Sequence, residues 1–261
     1  MSKKLKSRRS QITIFVIIAV VIVASIALVF TISNRSKDNI SISPIKDPQG
    51  YIQECARKAV SEAESKVIPH GGFMDPGSNS ILFNGTKVAW MCYTSELNKL
   101  CTNKHPLLNQ EIEKEIVNYA KPKVADCFTT LGNDLSRYNY QQDLVLNFSV
   151  AITPNQIAIK INRPISFNKN GQILSLNNFN TLINSPIYTF VSLAIETSNQ
   201  EVSCNCGRET CNADITLMNR DNLDFEISRF VSGRNEKVYT VIELLSGKTF
   251  NFGIRNCVRM P

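Results

Sequence analysis

The chain lacks the short motifs that mark common catalytic centres. It contains no G-x-S-x-G, no H-E-x-x-H, no Walker A and no G-x-G-x-x-G sequence. Histidine is scarce, with His70 and His105 the two in 261 residues. A Ser/His/Asp triad would need one of them, yet His70 lies at a predicted helix end and His105 directly precedes Pro106. We therefore expect no catalytic residues and no cofactor, and predict that the protein is not an enzyme.

Acidic residues are absent from the first 37 positions, which hold seven Lys or Arg residues. The rest of the chain has 22 basic and 22 acidic residues, so the formal net charge of +7 comes from the N-terminal segment. A nucleic-acid surface needs clustered positive charge on the folded part of a protein. The remaining, neutral part of the chain therefore predicts no nucleic-acid partner.

An uncharged apolar run extends from Ile12 to Ile32. At 1.5 Å per helical residue it would be about 31 Å long, the thickness of a hydrocarbon core. Five basic residues precede the run, and the positive-inside rule keeps such a flank in the cytoplasm. A cleaved signal peptide usually has a shorter apolar region. We predict an uncleaved signal-anchor: a basic cytoplasmic leader at 1–10, a transmembrane helix at 11–32 in the lipid bilayer, and an extracellular remainder.

The first residues also carry a family resemblance. "KSRRSQITIF" resembles the start of archaeal pilin-type (class III) signal segments, in which a peptidase cuts before a Gln and a long apolar helix. Here that cut would fall between Ser10 and Gln11. The sequence departs from the pattern at Phe15, where pilins often carry Glu. In pilin filaments, that carboxylate is expected to pair with the new amino terminus of a neighbouring subunit.

The resemblance extends beyond the leader. The opening, together with "ECARKAVSEAESKVIPHGGF" and "FNFGIRN", is similar to uncharacterised membrane-anchored surface proteins of small-genome archaea. This similarity implies an archaeal cell-surface location and no known activity. Possible partners are then other envelope proteins or copies of the same chain.

All eight cysteines follow the apolar run, and outside a membrane an even number predicts a disulfide framework. Cys92 and Cys101 flank a short connection and are expected to pair. Cys55 and Cys127 lie on the apolar faces of two predicted helices and are expected to join them. The last four would form two further bridges among themselves: Cys204, Cys206, Cys211 and Cys257.

Those last four cysteines also allow a metal site. Cys204, Cys206, Cys211 and Cys257 could together bind zinc, but structural zinc sites favour C-x₂₋₄-C pairs. The spacing here is C-x-C-x₄-C with a distant fourth residue. We therefore favour disulfides and expect no metal.

The remainder of the chain alternates between helical and strand patterns. A stalk is predicted at 33–46 and a helix from Pro48, which follows the N-capping residue Asp47. Asn84-Gly85 between two β-type runs predicts a hairpin. A second helix is expected from about Pro106 to Leu131, kinked or restarted at Pro122. Strands are predicted from Leu144 to Val150 and at 157–161, and a third helix is predicted after Ser185-Pro186. The last predicted strands lie near 213–219, 236–245 and 248–255.

This order of elements predicts an α+β fold with antiparallel sheet and a few packed helices, stapled by disulfides, at 47–261. A boundary between two subdomains is possible near 135–140. We expect a single-pass cell-membrane protein whose extracytoplasmic domain has a structural or binding role in the envelope. The alternative is a pilin-like subunit, processed between Ser10 and Gln11, that assembles through its N-terminal helix.

Four Asn-x-Ser/Thr sequences occur in the chain, at Asn34, Asn39, Asn84 and Asn147. Outside the cell they would permit N-glycosylation. Because asparagine is frequent in this chain, about this number is expected by chance, and the sequence alone does not select among them.

Overall fold

The computed structural model describes residues 46–204, 206, 224–233 and 235–258, all within one compact unit that spans 43–261. The predicted leader, the transmembrane segment and the Ser10–Gln11 processing site lie outside the described residues, as do Cys211 and the predicted strand at 213–219. Among the helices that are described, none is both long and apolar enough to cross a bilayer.

The described residues contain three α-helices, each where the sequence predicts one. They are α1 (Pro48–Val67), α2 (Leu108–Asp134) and α3 (Ile187–Val202). The Asp47 side chain caps α1 by accepting a 2.9 Å hydrogen bond from the backbone N–H of Gly50. Helix α2 runs without interruption through Pro122, so the predicted restart does not occur.

Eleven strands occur in the same residues. In chain order they are β1 (Ser80–Phe83), β2 (Thr86–Tyr93), β3 (Thr102–Asn103), β4 (Gln141–Gln142), β5 (Asn147–Thr153), β6 (Gln156–Lys169), β7 (Gln172–Asn178), β8 (Thr181–Asn184), β9 (Phe225–Val231), β10 (Glu236–Glu243) and β11 (Thr249–Arg255).

Asparagine in the left-handed region forms several of the turns between these strands. Asn84 and Gly85 both have positive φ and connect β1 to β2, which confirms the predicted hairpin. Asn155 likewise closes the turn between β5 and β6. The structure corrects the start of the next predicted strand, because β5 begins at Asn147 and Leu144 is 92% exposed.

The strands form two sheets. The six-stranded sheet has the order β1-β2-β11-β10-β9, with β3 also on β2. In the five-stranded sheet, the long strand β6 pairs with each of the other four, all antiparallel. The predicted α+β fold with antiparallel sheets is therefore confirmed. One pair departs from it, since β2 and β11 run parallel.

A single hydrophobic core joins the helices to both sheets. Helices α1 and α2 pack on each other and reach the five-stranded sheet, whereas α3 contacts β2, β11 and β5. The strand alternation decides which side chains enter the core: Ile157, Ile159 and Ile161 of β6 are fully buried or nearly so. Because β2 and β11 come from the two ends of the described domain, the 135–140 segment separates residues that pair in one sheet.

Gly253 in β11 makes the parallel pairing possible. It lies opposite Trp90 of β2, whose indole ring lies directly over it. A Cβ atom at residue 253 would come within 2.7 Å of the Trp90 ring and 3.3 Å of the Ala89 carbonyl oxygen. The missing side chain therefore provides the space that buries the single tryptophan.

We predict that Gly253→Ala destabilises the fold by about 2 kcal/mol, because overpacking forces the indole ring or the strand to move. Chemical denaturation followed by Trp90 fluorescence measures the change. Gly233→Ala is the matched control, since Gly233 has no positive φ and a Cβ there meets no atom within 4 Å. Equal stability of the two variants would contradict this account of the β2–β11 contact.

Candidate functional site

The candidate site is a cleft of about 540 Å³ where four connections converge. These are the β5–β6 turn, the β8–α3 junction, the start of β9 and the β10–β11 turn. The lining residues, which are mainly polar, are Asn155, Asn184, Ser185, Pro186, Asp224, Phe225, Glu243, Leu245, Ser246 and Lys248.

A buried carboxylate, Glu64 of α1, anchors two of the lining residues. Its Oε1 accepts a hydrogen bond from the Ser185 hydroxyl. The same oxygen forms an ion pair with the Lys248 ammonium group, at an N–O distance of 2.8 Å. The Glu64 side chain is almost fully enclosed. A buried charge requires such partners, so Glu64 ties α1 both to the start of α3 and to the β10–β11 turn.

Ser185 has a second contact in the cleft. Its Oγ accepts a 3.1 Å hydrogen bond from the backbone N–H of Ile187, and its own N–H donates to the Asn155 carbonyl at 3.0 Å. Ser185 thus holds the backbone just before α3, whose N-cap position is Pro186, and keeps the β5–β6 turn beside the cleft. These bonds position the wall of the cleft.

Two carboxylates lie on the rim of the cleft. Glu243 accepts a hydrogen bond from the Ser246 hydroxyl across the β10–β11 turn, and Asp224 is exposed at the start of β9. Next to them, the Leu245 side chain is exposed. With Pro186 and Phe225 also in its lining, the cleft offers hydrogen-bonding groups, negative charge and apolar contacts, which suit noncovalent binding.

A second buried polar cluster lies at the C-terminal end of α3, around Glu201. Glu201 pairs with the Lys237 ammonium group and accepts a 3.4 Å hydrogen bond from the Tyr239 hydroxyl. Asn256 donates to the Glu201 carbonyl at 2.7 Å and accepts from the Cys101 N–H at 2.7 Å. Burial, and then the nearby Glu201 carboxylate, raise the pKa of the Tyr239 phenol above its usual range.

Disulfides surround this second cluster. Cys92 pairs with Cys101, and Cys206 pairs with Cys257, directly after Asn256. Cys55 joins Cys127 between α1 and α2, so this pair and Cys92–Cys101 are the two predicted individually. Cys206–Cys257 agrees with the prediction that the last four cysteines pair among themselves. Cys204 is disulfide-bonded too. Since Cys204, Cys206 and Cys257 are in disulfides, they offer no thiolate for the four-cysteine zinc alternative that included Cys211.

The two histidines lie apart from the cleft and have structural partners. The His70 Nδ1 lies 2.7 Å from the Lys87 carbonyl oxygen, at the end of the turn that follows α1. The His105 Nδ1 contacts the Glu111 carboxylate at 2.6 Å, and its ring packs on Phe73. Among the described residues, neither imidazole hydrogen-bonds a residue that lines the cleft.

Three neighbouring glutamates of α2 have roles that the sequence did not suggest. Glu111 pairs with His105, Glu113 accepts a 2.8 Å hydrogen bond from the Ile152 N–H, and Glu115 accepts from the Met74 N–H at 3.3 Å. They bind α2 to the chain segments packed around it.

Comparison with known proteins finds no matching family model, no matching curated protein and no matching solved structure. The resemblance to archaeal surface proteins therefore stays a prediction from the sequence.

We predict that Lys248→Met destabilises the domain by roughly 3 kcal/mol, because it leaves the enclosed Glu64 carboxylate without its cation. The value lies at the low end for a broken buried pair, since the Lys248 side chain keeps 32% exposure. Urea denaturation of the full chain measures the difference in the free energy of unfolding.

Lys99→Met is the matched control, since it breaks the Lys99–Glu96 pair, in which both side chains are well exposed. Exposed pairs contribute little, so this variant should remain close to wild type. Equal losses in the two variants would show that Glu64 does not depend on Lys248.

Proposed function

We propose that this protein is a single-pass, membrane-tethered component of the cell envelope with an extracytoplasmic structural or binding domain. The observation that carries the proposal is the state of the cysteines. Every cysteine in the described part of the chain is disulfide-bonded, and all of them follow the apolar run at Ile12–Ile32. Disulfides persist in oxidising compartments, which lie on the far side of a cell membrane from the cytoplasm.

The charge distribution supports the same topology. The basic cluster before Ile12 keeps the N terminus in the cytoplasm, so the chain after Ile32 enters the outer compartment. The folded domain needs no positive surface of its own for this role. The basic pI of the chain is then a property of its membrane leader rather than a sign of an anionic partner.

The cleft supports binding rather than catalysis. Ser185 and Lys248 are both engaged by Glu64, and both histidines have partners elsewhere. What remains accessible is a polar rim with two carboxylates, beside the partly exposed Phe225 and the exposed Leu245. We infer that the domain acts through noncovalent contacts with envelope material, with other envelope proteins or with copies of itself.

We expect the protein isolated from the membranes of its own cells to start at Met1 or Ser2. Intact-mass measurement and N-terminal peptide analysis test this. Alkylation without reductant should leave the mass unchanged, and alkylation after reduction should add one group per cysteine, because an exported domain keeps its disulfides closed.

Other N termini would lead to different conclusions. A start at Gln11 would favour the pilin-like alternative, despite Phe15, and would mean that the apolar helix packs against other copies. A start after about Ser33 would remove the anchor and overturn the tether. Free thiols in the freshly alkylated protein would contradict an oxidising compartment.

A further inference from the structure

We propose that Asn84, at the tip of the β1–β2 hairpin, is the site in the folded domain that carries an N-linked glycan. The inference rests on the proposed function, because N-glycan transfer occurs outside the cytoplasm. Asn84-Gly85-Thr86 is one of two acceptor sequences in the described residues, and the other begins at Asn147. The structure distinguishes the two.

Asn84 stands at the outermost point of a two-residue turn. Asn84 and Gly85 have φ values of 47° and 80°, and both residues are exposed. In the described part of the chain, no hydrogen bond engages the Asn84 side-chain amide. A Cβ built on Gly85 would meet nothing within 4 Å. The acceptor nitrogen and the backbone of Gly85 are thus open to an enzyme, and within the acceptor sequence only Thr86 is paired, as the first residue of β2.

Asn147 lies in a different setting. It is the first residue of β5, where its backbone pairs with Asn162 in an antiparallel ladder that continues to Thr153. The Asn147 side chain is exposed too, but all three residues of its acceptor sequence are paired with β6. An enzyme that must enclose the acceptor backbone can therefore reach it only where the strand separates from β6. Asn84 remains accessible both before and after folding, and this difference favours it as the occupied site.

The surroundings of Asn84 give the glycan a physical role. Near the hairpin tip, Leu82 is 72% exposed and Phe230 is 51% exposed, and the Phe83 and Phe230 rings lie 5.6 Å apart. Exposed apolar side chains that cluster promote association. A bulky, hydrated glycan at residue 84 would cover this part of the six-stranded sheet and keep it apart from other proteins.

The reaction is a simple group transfer. The donor is an oligosaccharide joined through phosphate to a lipid carrier. The Asn84 Nδ2 forms a bond to the anomeric carbon of the sugar while the bond from that carbon to the phosphate oxygen breaks. The lipid phosphate leaves with the bonding electrons, the amide nitrogen loses one proton, and nothing is oxidised or reduced.

The test is to produce the full chain in cells with a eukaryotic secretory pathway and to map intact glycopeptides by mass spectrometry. We expect a glycan on the tryptic peptide 67–87 of the wild-type protein. Thr86→Val should remove it completely while keeping a β-branched residue at the start of β2, and Thr86→Ser should retain it. Intact glycopeptides are measured because an Asn-Gly sequence also deamidates spontaneously, which imitates enzymatic deglycosylation.

A matched variant separates failure of this inference from failure of the proposed topology. Asn170 and Gly171 form an equivalent exposed turn between β6 and β7, with φ values of 54° and 82°. Gln172→Thr converts this turn to a new Asn-Gly-Thr acceptor. A glycan on Asn170 with Asn84 unmodified would overturn the proposal for Asn84 while the domain is still exported.

The remaining outcomes are also decisive. A glycan on Asn147 but not on Asn84 would show that fold accessibility does not select the site, and would overturn the inference. If Asn84, Asn147 and the introduced acceptor at Asn170 are all unmodified, the domain has not crossed the membrane. In that case the extracytoplasmic topology fails, and the glycan proposal fails with it.

Discussion

The parallel pairing of β2 with β11 is the contact on which the architecture of this domain depends. It connects the two ends of the described chain, so it closes a loop that contains most of the domain. Such closure costs conformational entropy, and the cost is met only when many other contacts form together. Strands β2 and β11 enter the common core with α3 packed on them, and their outer face buries Trp90 against Gly253. The six-stranded sheet is therefore an outcome of the whole fold rather than a local unit.

Two buried glutamates hold the elements around this sheet in place. Glu64 attaches α1 to the β8–α3 junction and to the β10–β11 turn, while Glu201 attaches the end of α3 to β10 and to Asn256. A buried ion pair adds little net stability compared with apolar packing, but it strongly penalises arrangements that leave its charge unpaired. These contacts fix where α3 begins and ends, and the start of α3 forms one wall of the cleft.

Much of this fold could be predicted because local patterns determine it. The apolar stripe and the Asp47-Pro48 start specify α1, Asn84-Gly85 specifies a hairpin, and the alternating isoleucines specify β6. Strand β7, "QILSLNN", was missed because most of its side chains are exposed and no alternation results. In strand β9 the alternation is limited to the first four residues, and the last three side chains are all exposed. The parallel pairing of β2 and β11 could not be predicted, because neither strand contains a local pattern that identifies a pairing partner so far away in the sequence.

The candidate cleft was missed for a related reason. Its floor depends on Glu64, which looks like one more charge on an amphipathic helix. One signal was present: Glu64 lies four residues after Val60 and beside Ala63, inside the buried stripe of α1. Lys237 gives the same signal, since it is in phase with Tyr239 and Val241 on the inner face of β10. A charge in phase with a buried pattern is a sign of a buried pair, but its partner can be identified only from the structure.

The placement of the first disulfide has a consequence for a domain held by a stalk. Under the proposed topology, any pull on the stalk reaches the domain at Asp47 and Pro48, the start of α1. A terminal helix held only by side-chain packing could be peeled away turn by turn, because each turn makes a modest contribution. The Cys55–Cys127 bridge joins the second turn of α1 to α2, which is held to β5 by Glu113. Force on the tether is then transferred to the core through a covalent bond close to the point of attachment, before the greater part of α1 is loaded.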